Sequence, residues 1–154
     1  MTRKGAQRMR VRGLGHVVLK VRDLKRSVPF YRDVLGLNEV GHMGDSMVFF
    51  SIVDNHHDIA LVQTGTEAPE APKKAPGLAH LALKIGDSLD DLRRARTWLE
   101  ANGVEIRRIR EHIVSRSIYF ADPDGNELEV FVDNEEKVWL EDPELVAHSE
   151  PLTL

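Results

Sequence analysis

Apolar and polar residues alternate from Val11 to Val21, which predicts a strand with His16, Val18 and Lys20 on one face and Val17, Leu19 and Val21 on the other. Asp23 then supplies an N-cap for a helix through Leu35, closed by Gly36, with Leu24, Val28, Tyr31, Val34 and Leu35 as its apolar stripe. Pro29 falls inside that helix and should weaken or kink it. Three short strands are predicted at Asn38–His42, Met47–Val53 and Asp58–Gln63. Thr64–Gly77, rich in Ala, Pro, Gly and Lys, reads as a linker.

The order then repeats. A strand is predicted at Leu78–Ile85, and Ser88 with Asp91 forms a capping box for a helix whose Leu89, Leu92, Ala95 and Leu99 face a core. Asn102-Gly103 ends it. Strands follow at Glu105–Ile109, Ser115–Phe120 and Glu127–Val132, with a strong turn signal at Asp122-Pro123-Asp124-Gly125-Asn126. Each half is thus β-α-β-β-β, and half of so short a chain could hardly hold a sizeable core alone. The expected fold is α+β: two tandem βαβββ modules forming a curved mixed sheet around a metal cavity, with helices on the convex side. Residues 1–12 form a basic tail, 13–63 and 78–133 the modules of one domain, 64–77 the linker, and 134–154 an acidic, irregular extension docked by Trp139, Leu140 and Leu145.

Composition narrows the function classes. The chain has 154 residues, 42% hydrophobic and 30% charged, as in a soluble globular protein. A net charge of −4 argues against nucleic-acid and anionic-membrane surfaces, so the basic start reads as a solvated tail. Cysteine is absent, which excludes disulfides, thiolate metal sites and cysteine nucleophiles. No apolar run reaches membrane-spanning length and no signal-peptide pattern follows Met1, so a cytoplasmic protein is expected.

The candidate chemistry lies in the duplication. Leu14-Gly15-His16-Val17-Val18-Leu19-Lys20-Val21 returns as Leu78-Ala79-His80-Leu81-Ala82-Leu83-Lys84-Ile85, an offset of 80 − 16 = 64 residues. A histidine on a strand is more often a core or hydrogen-bonded residue than a ligand. Duplication changes that balance, because it sets both histidines at equivalent points of equivalent strands. Glu129 lies mid-strand with Glu127 and Phe131, opposite Leu128, Val130 and Val132. A carboxylate inside a cavity needs pairing or a metal. His16, His80 and Glu129 together make the two-histidine, one-carboxylate set of non-haem Fe(II) oxygenases.

These phrases, with Phe30-Tyr31-Arg32-Asp33-Val34-Leu35-Gly36 and the turn leading to Glu129, resemble the vicinal oxygen chelate superfamily over residues 13–133. That superfamily holds glyoxalase I, extradiol dioxygenases, fosfomycin-resistance transferases, methylmalonyl-CoA epimerase and bleomycin-binding proteins. The resemblance implies that Ala60 stands where glyoxalase I and the epimerase carry a fourth protein ligand. Gln63, three residues on, points to the other face. The likeness to small extradiol dioxygenases is more specific. It implies that His57, second of the pair His56-His57, serves as acid/base. It further implies that His112 and Tyr119, the latter ten residues before Glu129, handle the substrate hydroxyls. Their bland alternatives are a loop histidine, a strand-end surface histidine and an ordinary strand aromatic. His42, His56 and His148 read as structural or surface residues.

Fe(II) with one carboxylate and two neutral imidazoles keeps a single positive formal charge, which suits a singly deprotonated catechol and leaves room for O₂. Mn(II) shares these ligands and is the alternative metal. The expected partners are a small aromatic diol and O₂, within a homo-oligomer, a dimer favoured, whose modules pair within one chain or swap between two. One rival reading is a thiol transferase of the fosfomycin-resistance type, or a glyoxalase-like enzyme, kept open by Arg107, Arg108, Arg110 and Arg116. The other is a metal-free drug-binding module, against which the three ligands count.

Overall fold

The computed structural model describes residues 9–72, 74–134 and 138–154. Most of the predicted basic tail, including Arg3, Lys4 and Arg8, lies outside the described residues. Sheet one holds β1 (Val17–Val21), β2 (Asn38–Met43), β3 (Met47–Ser51) and β4 (Ile59–Gln63), in the order β1-β4-β3-β2. Sheet two holds β5 (Leu81–Gly86), β6 (Arg108–Glu111), β7 (Ser115–Ala121), β8 (Glu127–Asp133) and β9 (Glu150–Pro151), in the order β5-β8-β7-β6-β9. The first four strands of each sheet follow the same order, β1 lying parallel to β4 and β5 parallel to β8. The duplicated modules thus form two small sheets of a mixed α+β fold, each with its own helix.

β1 and β5 begin later than expected, each one residue after its histidine. A strand needs a partner, and β4 offers one only from Ile59, with the Val17 N–H bonded to the Asp58 carbonyl at 2.9 Å. Leu14 and Leu78, upstream of that pairing, are 83% and 61% exposed. β6 likewise starts three residues later than the predicted Glu105, because its register is set by Tyr119, which faces Arg108.

The first helix is also different. Asp23 caps α1 (Leu24–Pro29), but from Phe30 to Val34 the chain widens into a π turn, with the Leu35 N–H bonded to the Phe30 carbonyl. Pro29 has no N–H to offer the preceding turn, and the hydrogen-bond ladder resumes in the wider register. Phe30 joins Tyr31 in the core, although the predicted stripe omitted it. The second helix, α2 (Leu89–Ala101), keeps its capping box and buries Leu92 and Leu99.

One buried cluster takes apolar residues from both sheets and both helices, among them Leu19, Phe50, Leu61, Phe120 and Val132. The predicted turn reinforces this union. Asp122 accepts bonds from the Asp124 and Asn126 N–H groups through one oxygen, and from the Tyr31 hydroxyl at 2.8 Å through the other. Asp124 holds Arg26 and Ser27, and Asn126 donates to the Lys20 carbonyl. The second module's turn therefore grips the first module's helix.

The C-terminal extension is more ordered than its composition suggested. Two short 3-10 turns, Val138–Leu140 and Pro143–Ala147, lead to β9 on the open edge of β6. An edge strand presents unpaired backbone groups, and a two-residue strand containing a proline can cover them. Trp139 and Leu145 are half-buried, Leu140 is exposed, and Leu154 packs on the core. No helix among the described residues is long and apolar enough to cross a membrane.

Candidate metal centre

His80 and Glu129 meet. β5 and β8 pair with Ala82 beside Glu129, and this register brings His80 Nε2 to 3.0 Å from Glu129 Oε2. Glu129 is 6% exposed, on the sheet face opposite Leu128 and Val130. Its second oxygen accepts a 2.5 Å bond from the buried Ser117 hydroxyl. A carboxylate this secluded is stable only when its lone pairs are engaged. Ser117 therefore fixes one oxygen and leaves the other facing the imidazole.

Tyr119 lies directly across from Glu129 on β7 and across from Arg108 on β6. Its ring stands edge-to-face against His80, with centroids 5.6 Å apart. The Arg108 guanidinium lies 3.9 Å above the same ring, anchored by Glu127 at 2.5 Å. The Tyr119 oxygen is 3.0 Å from His112 Nε2. Desolvation, then the Glu129 charge, push the Tyr119 phenol up to about 12, so it keeps its proton at neutral pH. His112 is placed by an unusual turn: Ile113, which follows it, has φ +63, a left-handed conformation that a β-branched residue seldom adopts. The Asn134 side chain donates to the Ile113 carbonyl and secures that turn.

The first module holds a second group. The rings of His16 and His57 are 4.3 Å apart, and Phe49 stands edge-on to His57 at 5.2 Å. His56 Nδ1 is 2.7 Å from His57 Nδ1. Asn55 donates to the His57 carbonyl and to Asp58, while Asp58 accepts the Ile52 N–H, so the loop before β4 is braced from within. Desolvation, then the neighbouring His16 and His56, hold the His57 imidazole below its usual value. Ala60 is fully buried between Val18 and Phe49 and provides no ligand atom. Gln63 is committed elsewhere, accepting the Leu24 N–H at the start of α1.

The six predicted residues thus fall into two groups. His80, Glu129, Tyr119 and His112 form a chain of contacts beside sheet two, and His16 adjoins His57 beside sheet one. Among the described residues, no three His, Asp or Glu side chains of one chain lie close enough to hold a metal ion. A cavity between the end of the π turn and α2, lined by Leu35, Leu83, Trp98 and their neighbours, includes none of the six.

The donor chemistry nevertheless fits a metal. Two donors bound about 2.1 Å from one ion at a right angle are about 3.0 Å apart, the separation of the His80 and Glu129 atoms. A neutral imidazole and a carboxylate are two of the three ligands of a facial triad. From the sequence, Arg108 is reached only through the rival transferase, and Ser117 and Glu127 are not reached as parts of this site. The signal for Ser117 was its alternation with Tyr119, which sets it diagonally across from Glu129.

Comparisons with known proteins identify the family. Residues 13–130 match the family model described as Glyoxalase/Bleomycin resistance protein/Dioxygenase superfamily. The chain is 36% identical over 122 residues to biphenyl-2,3-diol 1,2-dioxygenase 3 of Rhodococcus globerulus, covering 79% of this chain and 63% of that protein. It is 28% identical over 122 residues to the metallothiol transferase FosB of Staphylococcus epidermidis, covering 78% of this chain and 83% of that one. The structure of a glyoxalase/dioxygenase from Nostoc punctiforme superposes with a TM-score of 0.70 at 23% identity, covering 85% of this chain and all of that one. The chain therefore belongs to the glyoxalase, bleomycin-resistance and dioxygenase superfamily, and spans less than two thirds of the dioxygenase it matches.

Proposed function

We propose that this protein is a non-haem Fe(II)-dependent extradiol dioxygenase that opens a catechol-type ring with O₂. The observation that carries the reading is the His80–Glu129 pair with Tyr119 and His112 hydrogen-bonded beside it. The match to a biphenyl-diol dioxygenase supports it. Residues 13–63 and 78–133 are read as its two modules, and His16, His80 and Glu129 as the metal ligands.

His16 comes from a second copy of the chain in this reading. Both histidine-bearing faces point away from the shared core, and Leu14 and Leu78 beside the two histidines are uncovered in a single copy. The half-sites are also chemically complementary: one offers paired imidazoles, the other an imidazole and a carboxylate.

His16, His80 and Glu129 would hold Fe(II), which would supply Lewis-acid and redox chemistry for a diol and O₂. The chain's own residues do the rest. Ser117 keeps Glu129 pointed at the site. Tyr119, protonated and flanked by Arg108, orients a substrate hydroxyl. His112 engages the Tyr119 oxygen through Nε2 and so fixes the hydroxyl group that meets the substrate. His57 has Nδ1 engaged by His56, which leaves Nε2 to hold and deliver a proton. The braced loop and the edge of Phe49 fix that ring.

The test is O₂ consumption on adding 2,3-dihydroxybiphenyl to anaerobically Fe(II)-loaded protein. Uptake with a new visible absorbance, absent in His16→Ala, is expected. No uptake across several catechols with iron bound would transfer the assignment to a thiol transferase of the fosfomycin type. One observation favours that second reading: the chain covers 83% of FosB but only 63% of the dioxygenase. Mn(II)-loaded protein with a thiol and fosfomycin tests it directly.

A further inference from the structure

We infer that the C-terminal segment selects the tautomer of His112 and thereby sets the direction of its hydrogen bond with Tyr119. His112 Nδ1 lies 3.0 Å from the backbone carbonyl of His148. A carbonyl only accepts, so Nδ1 carries the proton. In the neutral ring Nε2 is then bare. It faces the Tyr119 hydroxyl at 3.0 Å, and the phenol must donate to it. With its proton so committed, the Tyr119 oxygen turns a lone pair toward the site, where it accepts from a hydroxyl of the diol.

The carbonyl that begins this relay is firmly held. Arg110 donates through Nε to the Ser149 hydroxyl and through a terminal nitrogen to the Ser149 carbonyl. β9 pairs Glu150 with Glu111 and Pro151 with Arg110, one step from His112. The Leu152 N–H bonds to the Ile109 carbonyl, and Arg96 holds the Leu154 carbonyl at 2.9 Å. The strained Ile113 turn approaches from the other side. His112 is thus fixed between a hairpin and a strap from the far end of the chain. Without the strap, a proton on Nε2 would oppose the phenol and reverse the hydrogen bond.

The tautomer stands on these contacts alone, whereas its effect on turnover rests on the extradiol reading. The experiment is long-range ¹H–¹⁵N correlation of the histidine rings at mildly alkaline pH. It uses the full chain metal-free and again loaded with diamagnetic Zn(II), and compares a variant lacking residues 148–154. The full chain should show His112 protonated at Nδ1 and bare at Nε2, and the deletion should move the proton to Nε2 or mix the two forms. His112 protonated at Nε2 or at both nitrogens in the full chain, or a tautomer unchanged by the deletion, would overturn the inference. The full-chain spectrum decides even if the deleted form does not fold. With Fe(II), the deletion should lower kcat about 10-fold to 100-fold at unchanged iron content. Parallel loss of iron and kcat would mark a merely structural role and count against the relay. If the intact chain consumes no O₂, the extradiol reading fails while the tautomer result stands.

Discussion

His16 and His80 stand at the same point of two equivalent strands, 64 residues apart, but their surroundings have diverged. His80 adjoins a buried carboxylate locked by Ser117 and a tyrosine tied to His112. His16 adjoins a second imidazole on a loop, and the strand position that could have supplied a carboxylate holds Ala60. In the proposed reading, one copy of the repeat holds charge and the other moves a proton. The difference teaches that neither half is a metal site by itself. A facial triad needs the carboxylate half and the imidazole half together.

The strongest way to break this comparison is to disable one half at a time. Glu129→Ala and His16→Ala should each abolish stoichiometric iron and reduce turnover more than about 100-fold, beyond what loss of a supporting contact costs. Metal analysis and O₂ uptake read both. Mixing the two dead variants under conditions of subunit exchange should then recover about one quarter of the sites, since half of the dimers pair one variant with the other and each of those restores one site. No recovery on mixing would place all three ligands within one chain and defeat the shared-site reading.

His57→Phe addresses the imidazole half alone. It should keep iron and lower kcat by about 10²–10⁴, the range for a positioned acid/base. Full activity in that variant would end its proton-transfer role. Ser117→Ala addresses the carboxylate half. Removing the hydroxyl frees one Glu129 oxygen to turn, and iron affinity should fall about 10-fold to 100-fold, read by competition with a chelator. An unchanged affinity would mean that the backbone register, rather than Ser117, orients Glu129.

Much of this was legible in the sequence, for physical reasons. Strand alternation and the 64-residue repeat give the element order of both modules, and a period of two assigns Glu129 and Tyr119 to one face. Capping residues and turn glycines give the ends of α2 and the Asp122–Asn126 turn, but not the turn's grip on the first helix. The sequence could not indicate where sheet pairing begins, because that depends on a partner strand far along the chain. Hence β1, β5 and β6 started late. β9 left no trace, since two residues carry no periodicity and its partner is β6's free edge. Ile113 gave no warning either, because glycine or asparagine is the residue expected at positive φ. The separation of His16 from His80 and Glu129 is of another kind. Alternation states which face a residue occupies, not which faces meet.

The mildest test leaves both histidine groups untouched and loosens the tie between the modules. Tyr31 donates a 2.8 Å bond to Asp122, which also keeps a 2.8 Å bond from the Asn126 side chain. Tyr31→Phe removes a buried bond to a charged group while Asp122 retains a partner. The cost should therefore be about 1.5–2 kcal/mol, the lower part of the range for such bonds. Thermal unfolding should show it as a fall in Tm of a few degrees. Iron affinity should not change, because the ring still fills its place beside Phe30 and Phe50. If iron binding falls together with Tm, the packing of the two modules within one chain sets the metal geometry. In that event the mixing experiment should show no recovery, and the two results would together place the site inside a single copy.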